Sequence, residues 1–160
     1  MMPYEPILDI MRRTMANLEF VERHASDDGP FEVTQLLNSF LGALAHPWEN
    51  LKRELNSISI VDAEREGWPI PQRERATDQP LHSLGDLIRL LRNGVAHGNI
   101  SFLPGAHGEI AALRIENRNE KGLRTWGATV TPEAMRRFLE RFVALVEELE
   151  REAGGPKRIA

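Results

Sequence analysis

Ile7, Met11, Leu18 and Val21 recur at helix-like intervals between Pro6 and about His24, with Arg12, Arg13, Glu19 and Glu22 between them. This pattern predicts an amphipathic helix. Asp27-Asp28-Gly29-Pro30 breaks it, and Leu36, Leu37, Phe40, Leu41 and Leu44 restart a more apolar one that Pro47 interrupts. Because proline suits the first helical position, Trp48 to about Leu55 is expected as a short third helix. Residues 62–80 carry Gly67, Pro69, Pro71 and Pro80 among many charges and read as a long loop. Such a loop is either a lid or an ordinary surface excursion, with the excursion favoured.

Leu81 to His97 resumes helical spacing. Two start signals compete, Asp78 ahead of Pro80 and a capping box of Ser83 with Asp86, and either gives a helix ending near Gly98. Ile100 to Leu103, Ile110 to Ile115 and Leu123 to Val130 have extended patterning, and Asn117 to Gly122 is turn-like. Thr131-Pro132-Glu133 combines an N-cap, a first-position proline and an early acid. Met135, Phe138, Leu139, Phe142, Val143, Val146 and Leu149 then form one long apolar stripe, which Gly154-Gly155 should end. The expected fold is mainly α: four to five helices with a small antiparallel hairpin or three-stranded sheet inserted before the C-terminal helix. One domain is expected over 1–160, with its core at about 5–153 and a frayed tail at 154–160.

Composition narrows the chemistry. The 160 residues include no cysteine, which excludes disulfide frameworks, cysteine zinc sites and a cysteine nucleophile. No apolar run approaches the roughly 20 residues of a membrane span, and the N-terminus lacks the basic start of a signal peptide, so a soluble cytoplasmic protein with no membrane partner is expected. The net charge is −4, so any contact with a phosphate backbone must be local. Among 20 basic residues only Lys52, Lys121 and Lys157 are lysines. That bias suits bidentate contacts to carboxylate or phosphate, though high genomic GC content produces it with no functional meaning, and the genomic reading is favoured.

At about 100° per residue, Leu84, Leu87, Ile88, Leu91 and Val95 share one arc of the 84–97 helix. Asp86, Arg89, Arg92, Asn93 and His97 gather on the opposite arc, with only Gly85 and Ala96 between them. A solvated face would give the same pattern, and a lone histidine there could serve only the helix C-terminus. Gly85 costs helix stability on the order of 1 kcal/mol, and the backbone it lays open could admit a partner helix or a ligand phosphate.

The phrase Leu91-Arg92-Asn93-Gly94-Val95-Ala96-His97-Gly98-Asn99-Ile100 resembles the HEPN superfamily, whose mark is an Arg, usually followed by a polar residue, and a His five to seven positions later near a helix end. Phe31-Glu32-Val33-Thr34-Gln35-Leu36-Leu37-Asn38 is similar to a bacterial subgroup, and the resemblance spans about residues 5–150. It implies a HEPN-like helical bundle, to which the hairpin at 109–130 is an insertion. It also implies metal-independent endoribonuclease activity with no cofactor, by attack of the ribose 2′-oxygen on the adjacent phosphate. Imidazole and imidazolium are both accessible to a histidine near neutral pH, which suits His97 as general acid and base. Arg92 would offset charge on the phosphate, and Asn93 would orient His97 or bind a phosphate oxygen. One helix supplies one copy of each, so acid and base together imply a homodimer through paired motif helices. Arg89 is expected either to touch phosphate or to pair with Asp86. Gln35 and Asn38 are candidates for lining the same cleft, with simple exposure favoured.

Two rival readings stay open: a non-catalytic HEPN domain that binds RNA, a nucleotide or a protein partner, and a plain dimerisation module with a solvent-facing polar stripe. An antitoxin or regulatory protein, in a toxin–antitoxin or phage-defence setting, is a further partner compatible with the first reading. No P-loop, Gly-x-Ser-x-Gly elbow or His-Glu-x-x-His helix is present, and His24, His46, His82 and His107 lack ligand spacing, so no metal is expected. Trp48, Trp68 and Trp126 could stack on bases, but core positions suit them better.

Overall fold

The computed structural model describes residues 5–29 and 31–154, and the side chains of 7–29, 31–45 and 51–154. The tail expected beyond Gly154 lies outside the described residues. Among the described residues, five helices and three strands follow one another as α1 (Glu5–Arg23), α2 (Glu32–Ser57), α3 (Ile60–Arg65), α4 (Leu84–Ala96), β1 (Ile100–Pro104), β2 (Ile110–Arg118), β3 (Arg124–Val130) and α5 (Pro132–Gly154). The fold is therefore mainly helical, with a three-stranded sheet ahead of the last helix.

Helix α2 packs against α1, α4 and α5. It is one helix where two were expected, and the reason is burial. Leu37, Phe40, Leu44, Leu51 and Leu55 follow a heptad-like spacing that stays in phase across Pro47, and all five are buried. Each such side chain contributes about 1.5–3 kcal/mol when removed from water, which together outweighs the roughly 3 kcal/mol cost of an interior proline. The long loop is likewise shorter than expected, because α3 occupies its start, capped by Ser59 accepting from the Asp62 N–H at 3.1 Å.

The strands run antiparallel in the order β1-β2-β3, with Ile100 opposite Ile115 and Ile115 opposite Ala128. Leu113, Ile115, Trp126, Ala128 and Val130 join the helical core. The rest of the loop after α3 is anchored at both ends. Trp68 is buried edge-on against Phe142, with ring centroids 5.1 Å apart. Further on, the Glu74 N–H donates to Gly127 O at 3.2 Å and the Gln79 N–H to Thr125 O at 3.0 Å, which covers the outer edge of β3. Trp68 and Trp126 are core residues, and the Trp48 side chain lies outside the described ones.

Side chains secure the same loop. Asp78 is an ion-pair partner, not a helix start: its carboxylate binds the Arg124 guanidinium, and both side chains are buried. Glu74 accepts from Arg114 Nε at 2.9 Å and from Arg124 Nη2 at 3.0 Å. Glu116 is shared by Arg114 at 2.7 Å, Arg118 at 2.8 Å and Arg124 at 3.4 Å. The Arg114 guanidinium holds the Glu74 carboxyl below its ordinary value. Burial alone would push Asp78 up, but the bonds from Arg124 and the Arg75 N–H prevail and hold it down.

Candidate functional site

Helix α4 begins with the capping box anticipated from Ser83 and Asp86. The Ser83 hydroxyl accepts from the Asp86 N–H at 3.1 Å, and the Asp86 carboxylate accepts from the His82 and Ser83 N–H groups at 3.0 and 3.1 Å. Asp86 is thereby committed to the backbone, and among the described residues it forms no ion pair with Arg89. The two alternatives for Gly85 resolve in favour of a partner helix, which is α2 itself. A β-carbon on Gly85 would strike the Asn56 side chain and lie 3.0 Å from Asn56 Cα.

Gly94 lies on the opposite side of the helix, about 180° from Gly85 at 100° per residue. There a β-carbon would strike Ile115 and come within 2.7 Å of Glu116 O. The helix is thus gripped between α2 and β2, and the buried arc is wider than periodicity alone suggested. Leu90 and Gly94 are buried as well as Leu84, Leu87, Ile88 and Leu91, while Val95 is partly buried. What remains open is the arc bearing Arg89, Arg92, Asn93, Ala96 and His97.

On that arc Arg89, Arg92 and Asn93 are half-buried and His97 is exposed. Arg92 and His97 are five residues apart, hence about 7.5 Å along the axis and about 140° around it, with Ala96 and Asn93 between them. The small methyl of Ala96 leaves the middle of the face open. Asn93, one turn before His97, is on the side of the face nearer to it. Among the described residues the His97 side chain makes no hydrogen bond or ion pair.

The helix end is closed by a Schellman motif. The Gly98 N–H donates to Val95 O at 3.0 Å and the Asn99 N–H to Gly94 O at 2.8 Å, with Gly98 at φ +69°. Asn99 O then accepts from the Glu116 N–H at 2.9 Å, which ties the motif to β2. His97 is the C-cap residue, so its backbone is fixed on both sides.

The other two candidates are not brought to this face. The Ser59–Ser83 bridge joins the end of α2 to the start of α4, so the two helices run antiparallel. Counting back from Asn56, the level of His97 falls near Leu44, about 9 Å along α2 from Asn38. Gln35 is half-buried with its amide donating to the Ser39 hydroxyl at 3.4 Å, and Asn38 is exposed.

The inserted sheet contributes residues that sequence reasoning passed over. A pocket of about 170 Å³ adjoins the motif, lined by Gly98, Asn99, Ile100, Ser101, Arg114, Glu116 and Arg118. The only sequence signal for it was a pair of arginines four residues apart in β2, which a strand's two-residue period puts on one face. Among the described residues, no cluster of three or more potential ligands could hold a metal ion, and no helix is long and apolar enough to cross a membrane.

No curated protein and no solved structure matches the chain. A family model does: that of HEPN pEK499 p136, which matches residues 1–153. This span takes in every helix of the bundle except the last residue of α5, together with the Arg92–His97 motif and the inserted sheet. The chain therefore belongs to the HEPN pEK499 p136 family.

Proposed function

We propose that this HEPN domain is a metal-independent endoribonuclease. The observation that carries the reading is the open arc of α4, where Arg92, Asn93 and His97 share one face of a helix that is otherwise gripped on both sides. In this reading a ribose 2′-oxygen attacks the adjacent phosphorus, the bond to the 5′-oxygen breaks, and a 2′,3′-cyclic phosphate and a free 5′-hydroxyl are left. An imidazole takes the 2′-hydroxyl proton and an imidazolium returns one to the departing 5′-oxygen. Arg92 offsets the charge that builds on the phosphate oxygens, and Asn93 orients the ring of His97.

Base and acid are separate groups at the moment of reaction, and one motif offers one imidazole. The working species is accordingly a two-fold dimer in which the open arcs of two α4 helices face each other across the RNA. Such a protein is cytoplasmic, and an antitoxin or other regulator would silence it by covering the same arc. Incubation of the purified protein with total RNA in EDTA tests the reading. Cleavage by the wild type, lost in both Arg92→Ala and His97→Ala, is expected. RNA that is bound but never cut would move the assignment to a non-catalytic binding domain.

A further inference from the structure

We propose that the pocket formed by Gly98–Ser101 with Arg114 and Arg118 is an anion subsite that takes a backbone phosphate of the RNA strand beside the one cleaved. This rests on the ribonuclease reading and extends it from the motif helix to the inserted sheet. An RNA strand whose reactive phosphate lies at His97 continues past the end of α4. The surface there is open, because no atom lies within 4 Å of where a β-carbon on Gly98 would stand. The next polar groups along that path are those of the pocket.

Its chemistry fits phosphate better than a base. No aromatic ring lines it, and Ile100 is its single apolar side chain, while Asn99, Ser101 and two guanidiniums provide donors. Arg114 is already held by Glu74 at 2.9 Å and by Glu116 at 2.7 Å, and Glu116 is shared with Arg118 and Arg124, so the more exposed Arg118 is the main cation the pocket offers an anion. Arg118 is held in position by Glu116 and by the Gly122 carbonyl at 3.0 Å, yet its side chain is 44% exposed. It therefore keeps free donors in a fixed place. Ser101 stands opposite Arg114 in the strand register, which puts its hydroxyl on the same side of the sheet. In a chain of net charge −4, the exposed Arg118 guanidinium beside the Ser101 hydroxyl is what a phosphate backbone would find.

The test is binding of a short, end-labelled single-stranded RNA to the full chain carrying His97→Ala, in EDTA, over a series of salt concentrations. Added to that background, Arg118→Ala and Ser101→Glu should each weaken binding on the order of fivefold to tenfold. Each should also lower the salt slope by about 0.7, the share of one phosphate on a single strand. Arg118→Lys should keep the slope, and Arg13→Ala, which removes the same charge from α1, should change affinity less than about twofold. Ser101→Glu is the deciding variant, since Ser101 is exposed and takes part in no ion pair of the network, so the substitution removes none of its charged groups. If it binds as its parent does while the wild type still cleaves RNA, the pocket assignment falls and the ribonuclease reading stands; if the parent binds no RNA at any salt, both fall.

Discussion

At the scale of single residues, two glycines decide where the motif helix sits. Gly85 lets α4 approach Asn56 of α2, and Gly94 lets it approach the Glu116 carbonyl of β2. Any side chain at 94 must displace backbone, which a strand paired on both sides resists. Gly94→Ala should cost about 2 kcal/mol in urea unfolding, despite the better helix propensity of alanine. It should also shift the end of α4 and with it His97. Stability equal to wild type would mean that α4 and β2 are not in such close contact. The approach at Gly85 was legible only as one of two alternatives, a partner helix or a ligand phosphate, and that at Gly94 was not, since there the glycine reads as one residue of a motif. Steric need at a glycine is set by what the fold places against it, and here the partners are 29 and 22 residues away along the chain.

Among the elements, starts and ends followed local rules and were read correctly wherever those rules acted alone. The Ser83 capping box and the Thr131 N-cap of α5, whose hydroxyl accepts from the Ala134 N–H at 3.2 Å, are local hydrogen bonds that the residue types announce. Ser83→Ala should therefore lower stability by about 1 kcal/mol in the same urea measurement, and no change would show the cap to be redundant. Pro47 misled because a local breaker was weighed without the stripe that continues past it. Leu51 and Leu55 stand 7 and 11 residues after Leu44 and keep its phase, so the tertiary gain of one uninterrupted face was in fact visible in the spacing. The short α3 was hidden for the opposite reason, since six residues cannot establish a period. Of the candidate site, Arg92, Asn93 and His97 were legible because they share one helix, whereas Arg114 and Arg118 reach it only through the pairing of β1 with β2.

For the whole molecule, the arginine and carboxylate network on the outer side of the sheet links the long loop to β2 and β3, and it predicts how stability responds to acid. Glu74 and Asp78 have folded-state values below their ordinary 4.5 and 3.8. Their contribution is therefore fully present above about pH 5 and is lost as pH falls through those lowered values. Thermal unfolding should show a flat midpoint above pH 5 and a decline below it. Asp78→Asn should lower stability on the plateau by about 1–2 kcal/mol, because Arg124 would lose its most buried partner while keeping Glu74 and Glu116, and should shallow the decline. An unchanged acid limb in that variant would remove Asp78 from the account. The most direct test of the central claim uses a defined RNA in EDTA, with one ribose at a mapped cleavage position replaced by its 2′-deoxy form. The account predicts that the all-ribose strand is cut to a 2′,3′-cyclic phosphate end, that the deoxy position alone becomes resistant, and that His97→Ala cuts neither strand. Cleavage that persists at the deoxy position, or that survives the loss of His97, would contradict it.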